Sequence, residues 1–212
     1  MRKLLLMLLV ISSTSLYAQD AIDIHLKGGK VINGYFKAKY LKDNVKEFKY
    51  STTPDGSDQT LPLTSIDSIV VTADTSVIVP LTWVEHSELH IGSKDREKGL
   101  FLRIYKGKKL DGYVTFSGTN NWTPTGMGTM HNYSYNPKYL YKVKGERHAI
   151  AYYKIVNGGY DGNARLLIKQ ATKKEHPKLY EFVKSDAFIE KCQGVSEHPE
   201  ILFPLFDEVL GK

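Results

Sequence analysis

The sequence predicts an α+β fold, mostly antiparallel β-sheet with short helices gathered at the C-terminus. Three observations carry that expectation. Short stretches between residues 22 and 156 alternate apolar and polar residues, the period of a half-buried strand. Turn chemistry separates them, as in Gly28-Gly29, Pro54-Asp55-Gly56 and Lys144-Gly145-Glu146. Beyond His176 the apolar spacing becomes helical.

The chain opens with MRKLLLMLLVISSTSLYAQD, in which Arg2 and Lys3 precede an apolar run from Leu4 to Ile11 and a short polar segment ending at Ala18. That run is too short for a membrane-spanning helix, which needs ~20 residues, and fits the h-region of a signal peptide. Cleavage is expected between Ala18 and Gln19, although Leu16 is bulkier than the small residue usual three positions back. No cysteine lies near that bond, so a lipoprotein is not expected. The organisation expected is a signal peptide over 1–18, a small N-terminal β unit over 19–73, and a second β-rich part with C-terminal helices over 74–212.

In the first unit Ile22, Ile24 and Leu26 alternate with Asp23, His25 and Lys27, then turn through Gly28-Gly29 into a strand over Lys30–Tyr40. VKEFKY, residues 45–50, reads as a third strand, the Pro54-Asp55-Gly56 segment as a turn, and Ser65–Val71 as a fourth strand. Ala73–Pro80 reads as a hinge. Thr82–Ile91, Leu100–Tyr105, Lys109–Ser117, Lys138–Lys144 and Arg147–Val156 follow as strands, with Lys144-Gly145-Glu146 as a tight turn. Asn157–Asn163 reads as a loop and Ala164–Gln170 as a further strand. In HPKLYEFVKSDAFIEKC, Leu179, Phe182, Val183 and Ile189 have helical spacing, Pro177 suits an early helix position, and Ser185-Asp186 marks a break. A last helix runs from Pro199 through Leu210, with Pro204 expected to bend or shorten it.

Composition narrows the function classes. The formal charge of +6 falls to +4 once Arg2 and Lys3 are removed. The lysines at 37, 39, 42, 46 and 49 are scattered, a pattern of solubility and edge protection, so nucleic acid is not expected as a partner. Cys192 is the single cysteine, which excludes an intramolecular disulfide. It reads as a buried helix residue, because no His stands at a spacing that would activate a nucleophile. No segment after the signal is apolar enough to span a bilayer.

Three stretches could carry chemistry. In WVEHSELHI, His86, Glu88 and His90 are metal-ligand types at alternate positions. On a strand the two histidines stand ~13 Å apart, too far for one ion without a bulge. The helical zinc-protease pattern needs Glu directly after the first His, where Ser87 stands. The alternative is a solvated polar strand face. SGTNNWTPTGMGTMHN, residues 117–132, reads as a long loop holding Trp122, and loops of that length are functional or disordered. Tyr133, Tyr135, Tyr139 and Tyr141 share parity, so they form either the inner face of a sheet or an aromatic platform for sugars or a peptide. Short glycosylation patterns occur at Asp67-Ser68-Ile69, Asn121-Trp122-Thr123 and Asn132-Tyr133-Ser134. No Gly-x-Ser-x-Gly and no isolated carboxylate pair is present, and no cofactor is implied.

KGGKVINGYF (27–36) and KGKKLDGYVTF (106–116) echo one another, but aligning them needs a one-residue gap that reverses strand faces. The echo therefore reads as two hairpins whose glycines serve turns and close strand approach, not as a duplicated ligand site.

Tyr17-Ala18-Gln19, Asn33-Gly34-Tyr35, Phe101-Leu102 with Tyr105-x-Gly107, Tyr152-Tyr153 and the helical tail together resemble exported β-rich proteins of Bacteroidetes. That resemblance implies an envelope or extracellular location and carries over no catalytic residue. The function expected is a non-enzymatic binding or interaction protein of the periplasm or exterior, with an envelope protein or a glycan as partner. Its contact residues would be Trp122, Tyr133, Tyr135, Tyr139 and Tyr141. The alternatives are a metal-assisted exported enzyme using His86, Glu88 and His90, and a structural component of an envelope assembly.

Overall fold

The computed structural model describes residues 20–36, 41, 44–85, 97–125, 128–154 and 161–212, with residues 97, 116–125, 128–136 and 154 described by backbone alone. It is α+β and mostly β, with 44% strand, 29% helix, antiparallel-rich sheets and short helices toward the C-terminus.

The strands are β1 (Asp20–Leu26), β2 (Val31–Phe36), β3 (Glu47–Tyr50), β4 (Gln59–Pro62), β5 (Ile66–Val71), β6 (Val77–Glu85), β7 (Glu97–Lys106), β8 (Leu110–Thr125), β9 (Gly128–Val143) and β10 (Ala149–Lys154). Eight of them form one sheet in the order β10-β9-β8-β7-β6-β5-β1-β2, and β10 also pairs with β6. β6 to β10 therefore close into a barrel. In a five-strand meander the last strand runs the same way as the first, so closure has to be parallel, as the β6–β10 pairing is. β6 changes partners along its length: Val77 and Ile78 pair with β5, and Trp83–Glu85 with β10. Pro80, which has no N–H to give, falls between those two stretches.

Alternation along these strands sorts the apolar residues into three clusters. Leu81, Trp83, Phe101, Tyr113, Leu140, Ala149 and Ala151, drawn from all five strands, fill the barrel. Ile22, Ile24, Ile66, Ile69, Ile78 and Leu100 form a second cluster under Phe48 and Tyr50 of the β3–β4 hairpin. The third lies between the outer face of β8–β10 and the helices α1 (Asp161–Lys173), α2 (Pro177–Lys184), α3 (Asp186–Lys191) and α4 (Leu202–Gly211). Each fully buried Leu, Ile or Phe here contributes about 1.5–3 kcal/mol.

Several local expectations change in this setting. Ala164–Gln170 is the middle of α1, not a strand: Ala164, Ile168 and Ala171 are buried at helical spacing, while Leu166 is 52% exposed. The apolar run Leu166-Leu167-Ile168 hid that period. The expected hinge at Ala73–Pro80 is a turn followed by the start of β6, with the Asp74 carboxylate accepting the Ser76 N–H at 2.8 Å. The second cluster draws on both sides of it, since Ile78 and Leu100 pack with the N-terminal strands. β4, too short and polar to show alternation, pairs with β3. Ile189 is exposed, and Phe188 and Cys192 take the buried face instead. Pro204 falls in the first turn of α4, where its missing N–H breaks no helical bond.

The helical layer is tied down by specific polar contacts. Pro177 starts α2, and the Arg165 guanidinium donates to the carbonyls of Val183 (2.9 Å) and Lys184 (2.8 Å) at its other end. Asp161 accepts the N–H groups of Gly194 and Ser196, both at 2.9 Å, around a left-handed turn at Gly194 (φ 77). The echoed motifs have a common physical basis. A Cβ at Gly34 would meet the Ser51 carbonyl at 2.8 Å and Tyr50 at 2.9 Å, and one at Gly112 would meet the Phe203 ring at 2.6 Å. Each Gly-Tyr lets an aromatic side chain of another element lie directly on a strand backbone.

Candidate functional site

The segment expected as a loop is a ribbon. β8 and β9 pair without a register shift from Leu110↔Val143 to Thr125↔Gly128. The last β8 residue paired with β7 is Val114, and the last β9 residue paired with β10 is Lys138. Beyond those points, among the described residues, the two strands pair only with one another. This arm, from Phe116 to Thr125 and back to Pro137, runs roughly 30 Å at strand rise. Its Gly, Asn and Pro content looked like turn chemistry, but each strand supplies the other's backbone partners. Alternating Thr119, Thr123 and Thr125 suit a pleated ribbon.

The base of the arm is anchored in the barrel mouth. The Lys138 ammonium lies 4.0 Å from the centre of the Trp83 ring and 3.9 Å from the Glu85 carboxylate. The buried Thr115 hydroxyl donates to the Leu41 carbonyl at 3.3 Å. Trp83 and Glu85 of β6 thus hold β9, and Leu41 holds β8, where the arm begins.

The expected contact residues separate along this register. Trp122 stands opposite His131, Tyr133 opposite Asn120 and Tyr135 opposite Gly118, all on the arm. Tyr139 and Tyr141 lie inside the barrel's own pairing and pack under the helices. Tyr139 is half-buried against Tyr152 and Tyr153, at ring separations of 6.4 and 6.1 Å. Burial and then Glu200 push its phenol above the ordinary value. Tyr141 is 0% exposed and offers a ligand no surface. The tyrosine series therefore divides: core at 139 and 141, arm at 133 and 135.

Around Tyr141 is a polar node that the sequence reading missed. The Tyr141 hydroxyl lies 2.9 Å from His176 Nδ1, and His176 Nε2 lies 2.9 Å from the Glu146 carboxylate. A carboxylate only accepts, so Nε2 carries the proton toward Glu146. A second pair crosses the same junction: His148 Nε2 is 2.6 Å from Glu175. The pairs are reciprocal, Glu146 and His148 coming from the β9–β10 turn, Glu175 and His176 from the α1–α2 connection. The Tyr-His-Glu order is that of a proton relay, but burial, Glu146 and Glu175 hold the Tyr141 phenol well above its ordinary value. The node fastens helices to sheet. Its only signal in the sequence was two short His/Glu spacings, Glu146-x-His148 and Glu175-His176.

His86, Glu88 and His90 lie outside the described residues, as do Ala18 and Gln19 at the expected cleavage. Among the described residues no group of three or more His, Cys, Asp or Glu is arranged to hold a metal. Cys192 is buried, which pushes its thiol up to about 11. Of the glycosylation patterns, Asp67-Ser68-Ile69 lies on β5, where Ile69 is a core residue. A shallow cavity of about 130 Å³ between Lys27, Thr64, Thr82 and Lys98 contains none of the expected site residues. Among the described residues no helix is long and apolar enough to cross a membrane.

Comparisons with protein-family models, with curated proteins and with solved structures find no match.

Proposed function

We propose that this is an exported binding protein that acts by contact rather than by catalysis, and that the β8–β9 arm is its contact element. The observation that carries the reading is the continuous pairing of β8 and β9 for roughly 30 Å past their last described pairing with β7 and β10. The described members of the three core clusters all lie outside that ribbon. Its cost in ordered backbone, about 1–2 kcal/mol per residue, is offset most simply by a partner. Export rests on the N-terminal sequence.

The test replaces residues 118–135 with Asn-Gly, which closes the hairpin just above the barrel. Native and shortened proteins are then cross-linked in the intact envelope. The shortened protein is expected to fold with an unchanged barrel and to lose the cross-linked partners. Equal capture by both proteins would refute the assignment of the arm. N-terminal sequencing of exported protein checks the cleavage, with Gln19 expected as the first residue.

A further inference from the structure

We propose that the arm takes a neutral carbohydrate polymer, stacked along a row of aromatic positions on one face of the ribbon; this rests on the arm being the contact element. The first observation is charge. From Gly112 to Pro137 there is no Asp, Glu, Lys or Arg, in a chain that is 25% charged overall. Strand edges are ordinarily guarded by charged residues, Lys above all, and these two strands, which among the described residues pair only with one another past Val114 and Lys138, carry none there. An anionic glycan, a nucleic acid or a charged peptide would be met by Arg, Lys or carboxylates. The stretch is built for an uncharged partner.

The second observation is the kind of hydrogen bonding on offer. Apart from Trp122, the polar side chains between 116 and 136 are all Ser, Thr, Asn, Tyr or His. Each of these both gives and accepts hydrogen bonds, whereas Lys and Arg only give and carboxylates only accept. A sugar hydroxyl also does both. This repertoire suits a ligand with many hydroxyls better than one presenting a fixed charge.

Register supplies the third. Pairing of Phe116 with Pro137, Gly118 with Tyr135, Asn120 with Tyr133 and Trp122 with His131 puts these four rungs on one face. Rungs on one face repeat every two residues, ~6.8 Å, so the row from Phe116 through Tyr135 and Tyr133 to Trp122 spans roughly 20 Å. Every rung carries one aromatic of the row, and the tyrosine rungs are completed by the small residues Gly118 and Asn120. A pyranose has a flat C–H face, which stacks on an aromatic ring, and a rim of hydroxyls, which reaches neighbouring amides. A polymer repeats that unit along the row. An extended peptide, by contrast, would be held at a ribbon edge through its backbone and needs neither the row nor the absence of charge.

The chain from Gln19 is titrated with neutral hexaoses of β-1,4-glucose, α-1,4-glucose, β-1,4-mannose and β-1,4-N-acetylglucosamine, read by tryptophan fluorescence. Trp83, the only other tryptophan after the leader, is 4% exposed inside the barrel, so a ligand-dependent change reports Trp122. Affinity electrophoresis provides a readout that does not need Trp122. At least one hexaose is expected to bind saturably, with affinity unchanged within twofold between about 0.05 and about 0.5 M salt. Trp122→Ala and Tyr133→Ala are each expected to weaken binding tenfold or more without moving the unfolding midpoint. Absence of binding by all four hexaoses, binding that falls with salt, or binding that survives both substitutions would overturn the proposal. If no hexaose binds but the shortened protein still loses a cross-linked protein partner, the ribbon is a peptide-binding element and only the carbohydrate is overturned. If no hexaose binds and the shortened protein keeps its partners, both readings fall.

Discussion

Gly112 gives the sharpest test of how the helical layer is seated. Replacing it with Ala puts a Cβ 2.6 Å from three atoms of the Phe203 ring, inside any real carbon–carbon contact. The ring has little room to retreat: Phe203 is 1% exposed, stacked on Tyr105 at 5.8 Å and set edge-on to Tyr152 at 5.7 Å. Overpacking of this kind costs about 1–3 kcal/mol. The stiffer unfolded chain returns about 0.4–1 kcal/mol, leaving Gly112→Ala destabilised by roughly 1–2 kcal/mol. Gly28→Ala is the control, because nothing lies within 4 Å of its Cβ and its φ is not left-handed. It should be neutral or more stable by up to ~1 kcal/mol. In a Phe203→Leu background the Gly112→Ala cost should shrink by about 1 kcal/mol, the coupling of two groups in direct contact. Urea unfolding followed by circular dichroism compares these proteins with wild type. A Gly112→Ala protein as stable as wild type, or an unchanged cost in the Phe203→Leu background, would show that close approach to Phe203 is not why glycine stands there.

Asp207 accepts the N–H groups of Lys108 (3.0 Å), Lys109 (2.6 Å) and Leu110 (2.9 Å); partial burial works against its carboxylate, but these three donors and Lys144 hold its pKa below the ordinary value. A depressed carboxylate stabilises the fold above its unfolded pKa and loses that contribution as pH falls through the folded value. Asp207→Asn should therefore cost about 1–2 kcal/mol at neutral pH, discounted for partial exposure, and the gap from wild type should close in acid. A gap independent of pH would refute the ionic role. Cys192, pushed up to about 11 by burial, should react with a maleimide at pH 8 roughly 100-fold more slowly in the folded protein than in urea. Equal rates would contradict its burial.

Local chemistry was legible wherever it acts over a few residues. Alternation marked β1 through Ile22 and Ile24, Gly145 supplied the left-handed turn (φ 89) between β9 and β10, and Pro177 marked the start of α2. The fold class follows from such signals, since strand period dominates the middle of the chain and helical period its end. Partner choice was not legible. The parallel return of β10 to β6, the division of β6 between two neighbours and the reciprocal His/Glu pairs join residues distant in sequence, and no local period encodes them. The same limit turned Ala164–Gln170 into an apparent strand and residues 117–132 into an apparent loop. A short apolar run fits either period until packing selects a face, and a polar ribbon shows itself only when its partner strand supplies the hydrogen bonds. The sequence by itself determined a β-rich chain with a helical tail and picked out the stretch around Trp122. Tertiary structure alone decided that this stretch is a paired arm, and that Tyr139 and Tyr141 belong to the core, because burial depends on which elements meet.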